Sequence, residues 1–169
     1  MKIKGKKIEG RNVEVIVIPR GMGEDIILLA EALEDYEEFD AMLTMPEAPE
    51  VLKPGNIREK NFKDKKYIER MEVFCQKKTD YTVLKSLEKT EELEWETVDM
   101  ADPDTFENWR TEMRDSGLTD VELLHVVEGV SHANSLNDAM LKEARENFIR
   151  TQAEQADEPS SQTDALPLT

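Results

Sequence analysis

The sequence predicts an α+β protein: an N-terminal β-hairpin or small antiparallel sheet, a proline-bearing arm, a mostly helical C-terminal module and a tail. Three observations carry this. Val13–Ile18 is a β-branched run with alternating side chains. Residues 44–66 have no apolar period and contain Pro46, Pro49 and Pro54-Gly55. From Tyr67 onward, helical periodicity returns with cap and stop signals between segments.

Lys2–Ile8 alternates weakly, and Gly10-Arg11-Asn12 is a turn signal before Val13–Ile18. Two short strands about a Gly/Asn turn read as a hairpin. Val13, Val15 and Val17 fall on one face of it, and Glu14, Ile16 and Ile18 on the other. Two strands alone are marginal in water, so the hairpin must pack on something or pair with another chain. Ile26–Leu43 fits two descriptions. Ile26, Leu29, Ala30, Leu33, Tyr36 and Leu43 keep a helix period, so 26–33 can be read either way. Asp35-Tyr36-Glu37-Glu38 reads as a capping box in which Asp35 accepts the amide of Glu38, starting a short helix at Tyr36. That leaves Ile26–Ala32 as a strand, and strand-then-helix is the preferred reading. Met45–Glu50 is expected to be extended, because each proline pushes its predecessor out of the helical region.

Tyr67–Lys89 is the strongest helix, capped by Asp64 and striped by Tyr67, Met71, Phe74, Tyr81, Leu84 and Leu87. Glu91–Met100 carries Trp95 and reads as irregular. Asp102-Pro103 supplies an N-cap and a first-turn proline for a helix with Phe106, Trp109 and Met113 inward, stopped at Gly117. Thr119-Asp120-Val121-Glu122 is a capping box for a helix to about His132, with Val121, Leu124, Val127 and Val130 as its stripe. Ser135 is expected to cap a last helix with Leu136, Met140, Ala144 and Phe148, or else Leu141 and Phe148, facing inward. After Gln152 the composition turns to Pro, Ser, Gln, Asp and Glu, and such a tail is expected to be disordered when free. The expected organisation is therefore residues 1–43, β-rich with a short helix; 44–66, an extended arm; 67–152, helical; and 153–169, an acidic tail.

Charge limits the function classes. The 169 residues hold 38 acidic and 22 basic side chains, a formal net charge of −16. Phosphate polymers are repelled by such an anion, so duplex nucleic acid is not an expected direct partner. The charge lies in blocks: +4 over residues 1–20, −10 over 21–50, +5 over 51–90 and −15 over 91–169. Such blocks pair with each other in the fold or face a partner. The apolar runs Val15–Ile18 and Ile26–Ala30 are far too short to cross a bilayer, and Lys2, Lys4, Lys6 and Lys7 precede no apolar signal region, so neither membrane nor export is expected.

Chemistry-bearing patterns are sparse. The glycines at 5 and 10 lack the Lys-Ser/Thr pair and the following helix of a phosphate loop. His125, Glu128 and His132, with Glu122 one turn earlier, share a helix. Two histidines seven residues apart are separated by about 10 Å along the axis, too far to share zinc unaided, so they read as surface or core-edge side chains. Cys75 has no cysteine partner and reads as a small buried residue. Trp95 and Trp109 read as core. No nucleophile, base and orienter stand together, so no catalytic, cofactor or metal residue is assigned and the expectation is a non-enzyme without cofactors. Partner binding is assigned to Val13, Val15 and Val17 on the hairpin and to Met45, Pro46 and Pro49 on the arm. A ribbon with unpaired edges seeks a strand, and the basic hairpin suits an acidic or self-complementary surface.

Several stretches together resemble the tail assembly chaperones of long-tailed bacteriophages, encoded between the tail tube and tape-measure genes. They are Met45-Pro46-Glu47-Ala48-Pro49, Leu93-Glu94-Trp95-Glu96-Thr97-Val98-Asp99, Pro103-Asp104-Thr105-Phe106-Glu107-Asn108-Trp109, and Ala133-Asn134-Ser135-Leu136 with Glu143-Ala144-Arg145-Glu146-Asn147-Phe148. The likeness is one of order and tone across most of residues 1–150, and the basic N-terminal hairpin departs from it. What it implies is a non-enzymatic phage protein that binds the tail tube or tape-measure protein, or itself, in the cytoplasm of the infected bacterium. Two other expectations stand beside it. One is a structural piece of the virion tail or head–tail region. The other is an acidic nucleic-acid mimic that inhibits a host defence enzyme, which the carboxylate blocks at 21–50 and 91–128 would allow.

Overall fold

A computed structural model describes residues 10–135. The readings for Lys2–Ile8, for the helix after Ser135 and for the tail 153–169 lie outside the described residues. The elements run β1 (Val13–Ile18), β2 (Ile26–Glu31), α1 (Glu37–Met42), β3 (Glu50–Lys53), β4 (Ile57–Lys60), α2 (Lys65–Leu87), α3 (Asn108–Asp115) and α4 (Asp120–Asn134). The class is α+β, with two separate two-stranded antiparallel sheets.

β1 pairs with β2, with Val13 opposite Glu31, Val15 opposite Leu29 and Val17 opposite Ile27. The segment at 26 is thus a strand, because alternate residues can bury against helices while the others face outward. Ile16, Ile18, Leu28 and Ala30 form the buried face. β1 lies on α4, and β2 lies on both α2 and α4. Gly129 of α4 makes the closest approach: a Cβ there would stand 2.4 Å from Ile16 Cγ1. The sheet is also tied to the end of α4. Asn12 Nδ2 donates to the carbonyls of His132 (3.3 Å) and Ala133 (2.9 Å) in the last turn, and His132 O also accepts from the C-cap amide of Ser135. Asn134 Oδ1 accepts from Leu33 N, and Asn134 Nδ2 donates to Ser86 of α2.

Beside the aliphatic side chains of Val83, Leu84, Leu87 and Met113, the core holds an aromatic cluster. Phe39, the one buried residue of α1, packs edge-on against Phe74 of α2 and beside Tyr81, each with centroids 5.4 Å apart. Tyr81 in turn meets Phe106. Trp109 is buried, and its indole Nε1 donates to Asp80 at 2.9 Å. Asp80 is a carboxylate at 1% exposure, and Arg110 Nη1 meets it at 2.6 Å while its guanidinium stacks on the Trp109 ring. A buried charge survives only with such donors around it.

Several expectations are corrected. Asp35 does not cap at Glu38; its carboxylate accepts from Glu37 N, two residues on, and Tyr36 holds the N-cap position without a side-chain bond. Residues 44–66 are not one extended arm, since β3 and β4 form a hairpin about Pro54-Gly55-Asn56. Gly55 (φ +92) and Asn56 (φ +63) supply the left-handed turn. α3 begins at Asn108, not after Asp102. Asp99 and Asp102 each accept an amide two residues on, and these local turns compete with helix. The capping box at Thr119 and Glu122 forms, as does the Asp64 cap on Tyr67 N. The phase of α4 differs, however. Leu123, Val126, Val130 and Ala133 are buried with Gly129, while Val121 and Leu124 are exposed. The cluster Leu123-Leu124-His125-Val126-Val127 offers apolar side chains on more than one face, and the close fit at Gly129 selects one. Cys75 is exposed, because its neighbour Phe74 takes the inward direction.

Candidate functional site

The outer face of the β1–β2 sheet is apolar and open. Val13, Val15, Val17 and Ile27 are 48%, 55%, 43% and 57% exposed. Leu29, opposite Val15, is half-buried on the same face. Strand alternation puts these side chains outward because Ile16, Ile18, Leu28 and Ala30 are needed inward. Most two-layer proteins cover one apolar sheet face and leave the other polar. Here both faces are apolar.

The two strand edges differ. Ala32 N donates to Asn12 O, and antiparallel alternation from that pair turns the backbone groups of Val13, Val15 and Val17 away from β2. Among the described residues no strand pairs along that edge. On β2 the outward groups are those of Ile27, Leu29 and Glu31. Thr90 closes this edge: its Oγ1 accepts from Leu29 N (2.9 Å) and donates to Leu29 O (3.2 Å).

The charges around the sheet are internally paired. Arg20 Nη1 meets Glu122 at 2.8 Å, and Arg11 meets Glu31 at 3.7 Å. Within the described part, the hairpin therefore offers an acidic partner little free positive charge. Glu122 is held below the usual carboxylate range by the backbone amide and then the hydroxyl of Thr119, with Arg20 adding to this.

The partner-binding residues assigned from sequence sit on two supports. Val13, Val15 and Val17 share the face backed by α4. Pro46 lies against α2, where with Leu43, Val73 and Phe74 it lines a groove of about 560 Å³. Met45 is exposed at 60%, and Pro49 is half-buried with its carbonyl accepting from Asn61 N. Sequence reasoning missed Ile27, which completes the apolar face, and Lys66 and Arg70, which border the groove. The register of β2 would have revealed the first. The second needed the path of the arm along α2, for which no local signal exists.

A polar cavity of about 290 Å³ lies where Leu33 and Asp35 approach α2. Most of its charges are paired. Lys89 bonds Glu31, and that bond, with Arg11 nearby, lowers the Glu31 pKa against its burial. Lys85 bonds Glu38 and Glu88. Burial pulls the Lys85 pKa down, but these two carboxylates outweigh it and leave it raised. Glu38 is lowered by Lys85 and then by the Tyr81 hydroxyl. Burial first, and Glu38 second, push Tyr81 up to about 12, so its phenol keeps its proton. Such a network ties β2, α1 and α2 together. His125, Glu128 and His132 are exposed along α4. Among the described residues no group of three or more His, Cys, Asp or Glu side chains could hold a metal. Among them, too, no helix is long and apolar enough to cross a membrane.

No family model, curated protein or solved structure matches this chain.

Proposed function

We propose that this chain is a non-enzymatic binding protein whose outer β1–β2 face docks on a partner, and that it serves phage tail assembly as a chaperone. The observation that carries the binding reading is the apolar face of Val13, Val15, Val17 and Ile27, open on a sheet whose opposite face is fully packed. A contiguous apolar face on a highly charged protein marks an interaction surface. Covering it removes apolar area from water at about 25 cal/mol per Å². The tail-assembly reading rests on the resemblance of residues 45–49, 93–99, 103–109 and 133–148 described above, and it names the partner as a tail tube or tape-measure protein. An acidic chaperone with one apolar face suits that task. It shields an aggregation-prone partner while its net charge of −16 keeps the complex dispersed.

The test is co-expression with the tape-measure or tail tube protein of the same phage. The expected result is that the partner stays soluble with the wild-type chain and aggregates with Val15→Lys. A partner equally soluble without the chain, or retention of the chain in purified particles as a stoichiometric component, would contradict the chaperone reading.

A further inference from the structure

The α2 groove differs from the sheet face in chemistry. Leu43, Pro46, Val73 and Phe74 form its floor, and Lys66 and Arg70 stand at its rim. Residues 66, 70, 73, 74 and 77 lie on one side of the helix by its 3.6-residue period. The groove persists because the chain leaves α1 at Leu43 and runs past α2 through Pro46, whose fixed φ holds the backbone extended. Val73 is 56% exposed on this floor, although it lies next to the packed Phe74.

The rim charges are unevenly matched. Glu69 is engaged by Lys65 at 3.8 Å, and Lys77 is engaged by Asp104. Lys66 and Arg70 have no carboxylate within ion-pair distance among the described residues; Arg70 Nε donates only to the Lys66 carbonyl. Lys63 and Lys78 also lack an ion pair among the described residues, Lys78 lying over the Tyr36 ring, but Lys66 and Arg70 stand together one helical turn apart beside an apolar floor on a protein of net charge −16. We propose that this groove docks an acidic peptide segment of a partner protein, its carboxylates meeting Lys66 and Arg70 and its apolar side chains covering Val73 and Pro46. The apolar floor favours such a segment over a phosphate polymer, and the repulsion that a net charge of −16 exerts on any anion falls harder on the denser charge of the polymer. The site shares no residue with the Val13, Val15, Val17 and Ile27 face, so the two can be tested separately.

The experiment is fluorescence polarisation with the full chain and a short labelled peptide made only of Glu and Leu. A Lys–Leu peptide of equal length and a labelled oligothymidine serve as comparisons. Saturable binding of the Glu–Leu peptide is expected. It should weaken at least about tenfold in Lys66→Glu with Arg70→Glu, and again in Val73→Asp, at unchanged circular dichroism. Should charge reversal disturb folding, Lys66→Gln with Arg70→Gln carries the same test. Absent saturation, equal binding of the Lys–Leu peptide, insensitivity to these variants, or oligothymidine bound through the same two cations would overturn the proposal.

Discussion

Replacing Gly129 by alanine tests the contact that seats the sheet. In an exposed helix, glycine to alanine gains about 1 kcal/mol. At this position the new Cβ would stand 2.4 Å from Ile16 Cγ1 and 2.5 Å from Cδ1. Moving Cδ1 alone cannot relieve the overlap, because Cγ1 is as close. Ile16 is 2% exposed, so swinging Cγ1 aside presses it on packed neighbours, and relief comes from lifting β1 from α4. Overpacking of this kind costs about 1–3 kcal/mol. Set against the propensity gain, this leaves a net loss of up to about 2 kcal/mol, expected in urea titration. In an Ile16→Ala background both offending atoms are gone. There, Gly129→Ala should stabilise by about 1 kcal/mol, which makes the coupling between the two sites about 1–3 kcal/mol. Stabilisation by Gly129→Ala in the wild-type background, or independence of the two changes, would refute the close seating of β1 on α4.

Asp80→Ala should cost about 3–5 kcal/mol, because it strips the acceptor from the buried Trp109 indole and the partner from Arg110; Asp80→Asn should cost less, since an amide oxygen still receives the indole. A urea titration in which both variants match wild type would show that the carboxylate is hydrated and not part of the core. Acid should unfold the protein in a defined window. Glu31, Glu38, Glu112 and Glu122 all sit below their ordinary 4.5 in the fold. At Glu112 burial pushes up, but the Thr97 hydroxyl and the amides of Glu96 and Thr97 outweigh it. Below 4.5 the unfolded chain therefore binds more protons than the folded one. The stability these groups supply is complete above that value and is lost as pH falls through their lowered folded pKa values. Melting temperature should fall below pH 4.5, less steeply in Glu112→Gln; a flat or rising profile there would oppose these assignments.

Where local chemistry decides structure, the sequence was readable. The Thr119–Glu122 box and the Asp64 cap are bonds between side chains and amides three residues away, so local spacing suffices. The strand Val13–Ile18 shows itself by β-branching. The β3–β4 hairpin was hidden because all eight of its strand residues are exposed and so carry no burial period. Its turn signal, Pro54-Gly55-Asn56, was present. The phase of α4 was not legible, because adjacent apolar residues such as Val126 and Val127 permit several stripes and only Ile16, far off in sequence, selects among them. Asp80 looks like any charged position on α2; its partners Trp109 and Arg110 lie about thirty residues later. Of the site, the valine face was legible from alternation alone. Ile27 and the α2 groove required the pairing of β1 with β2 and the course of residues 43–46.

The central claim is that the outer sheet face binds and does not merely scaffold. The direct measurement is calorimetric titration of the proposed partner, a tail tube or tape-measure protein, against wild type and against Val15→Lys with Ile27→Lys, with the melting temperature taken on the same samples. Both side chains are more than half exposed, so the double variant should melt within about 2 °C of wild type, a shift below about 0.5 kcal/mol. Its affinity should fall at least about tenfold. Unchanged affinity at unchanged melting temperature would contradict the claim, and so would a collapse of melting temperature that carries the affinity with it.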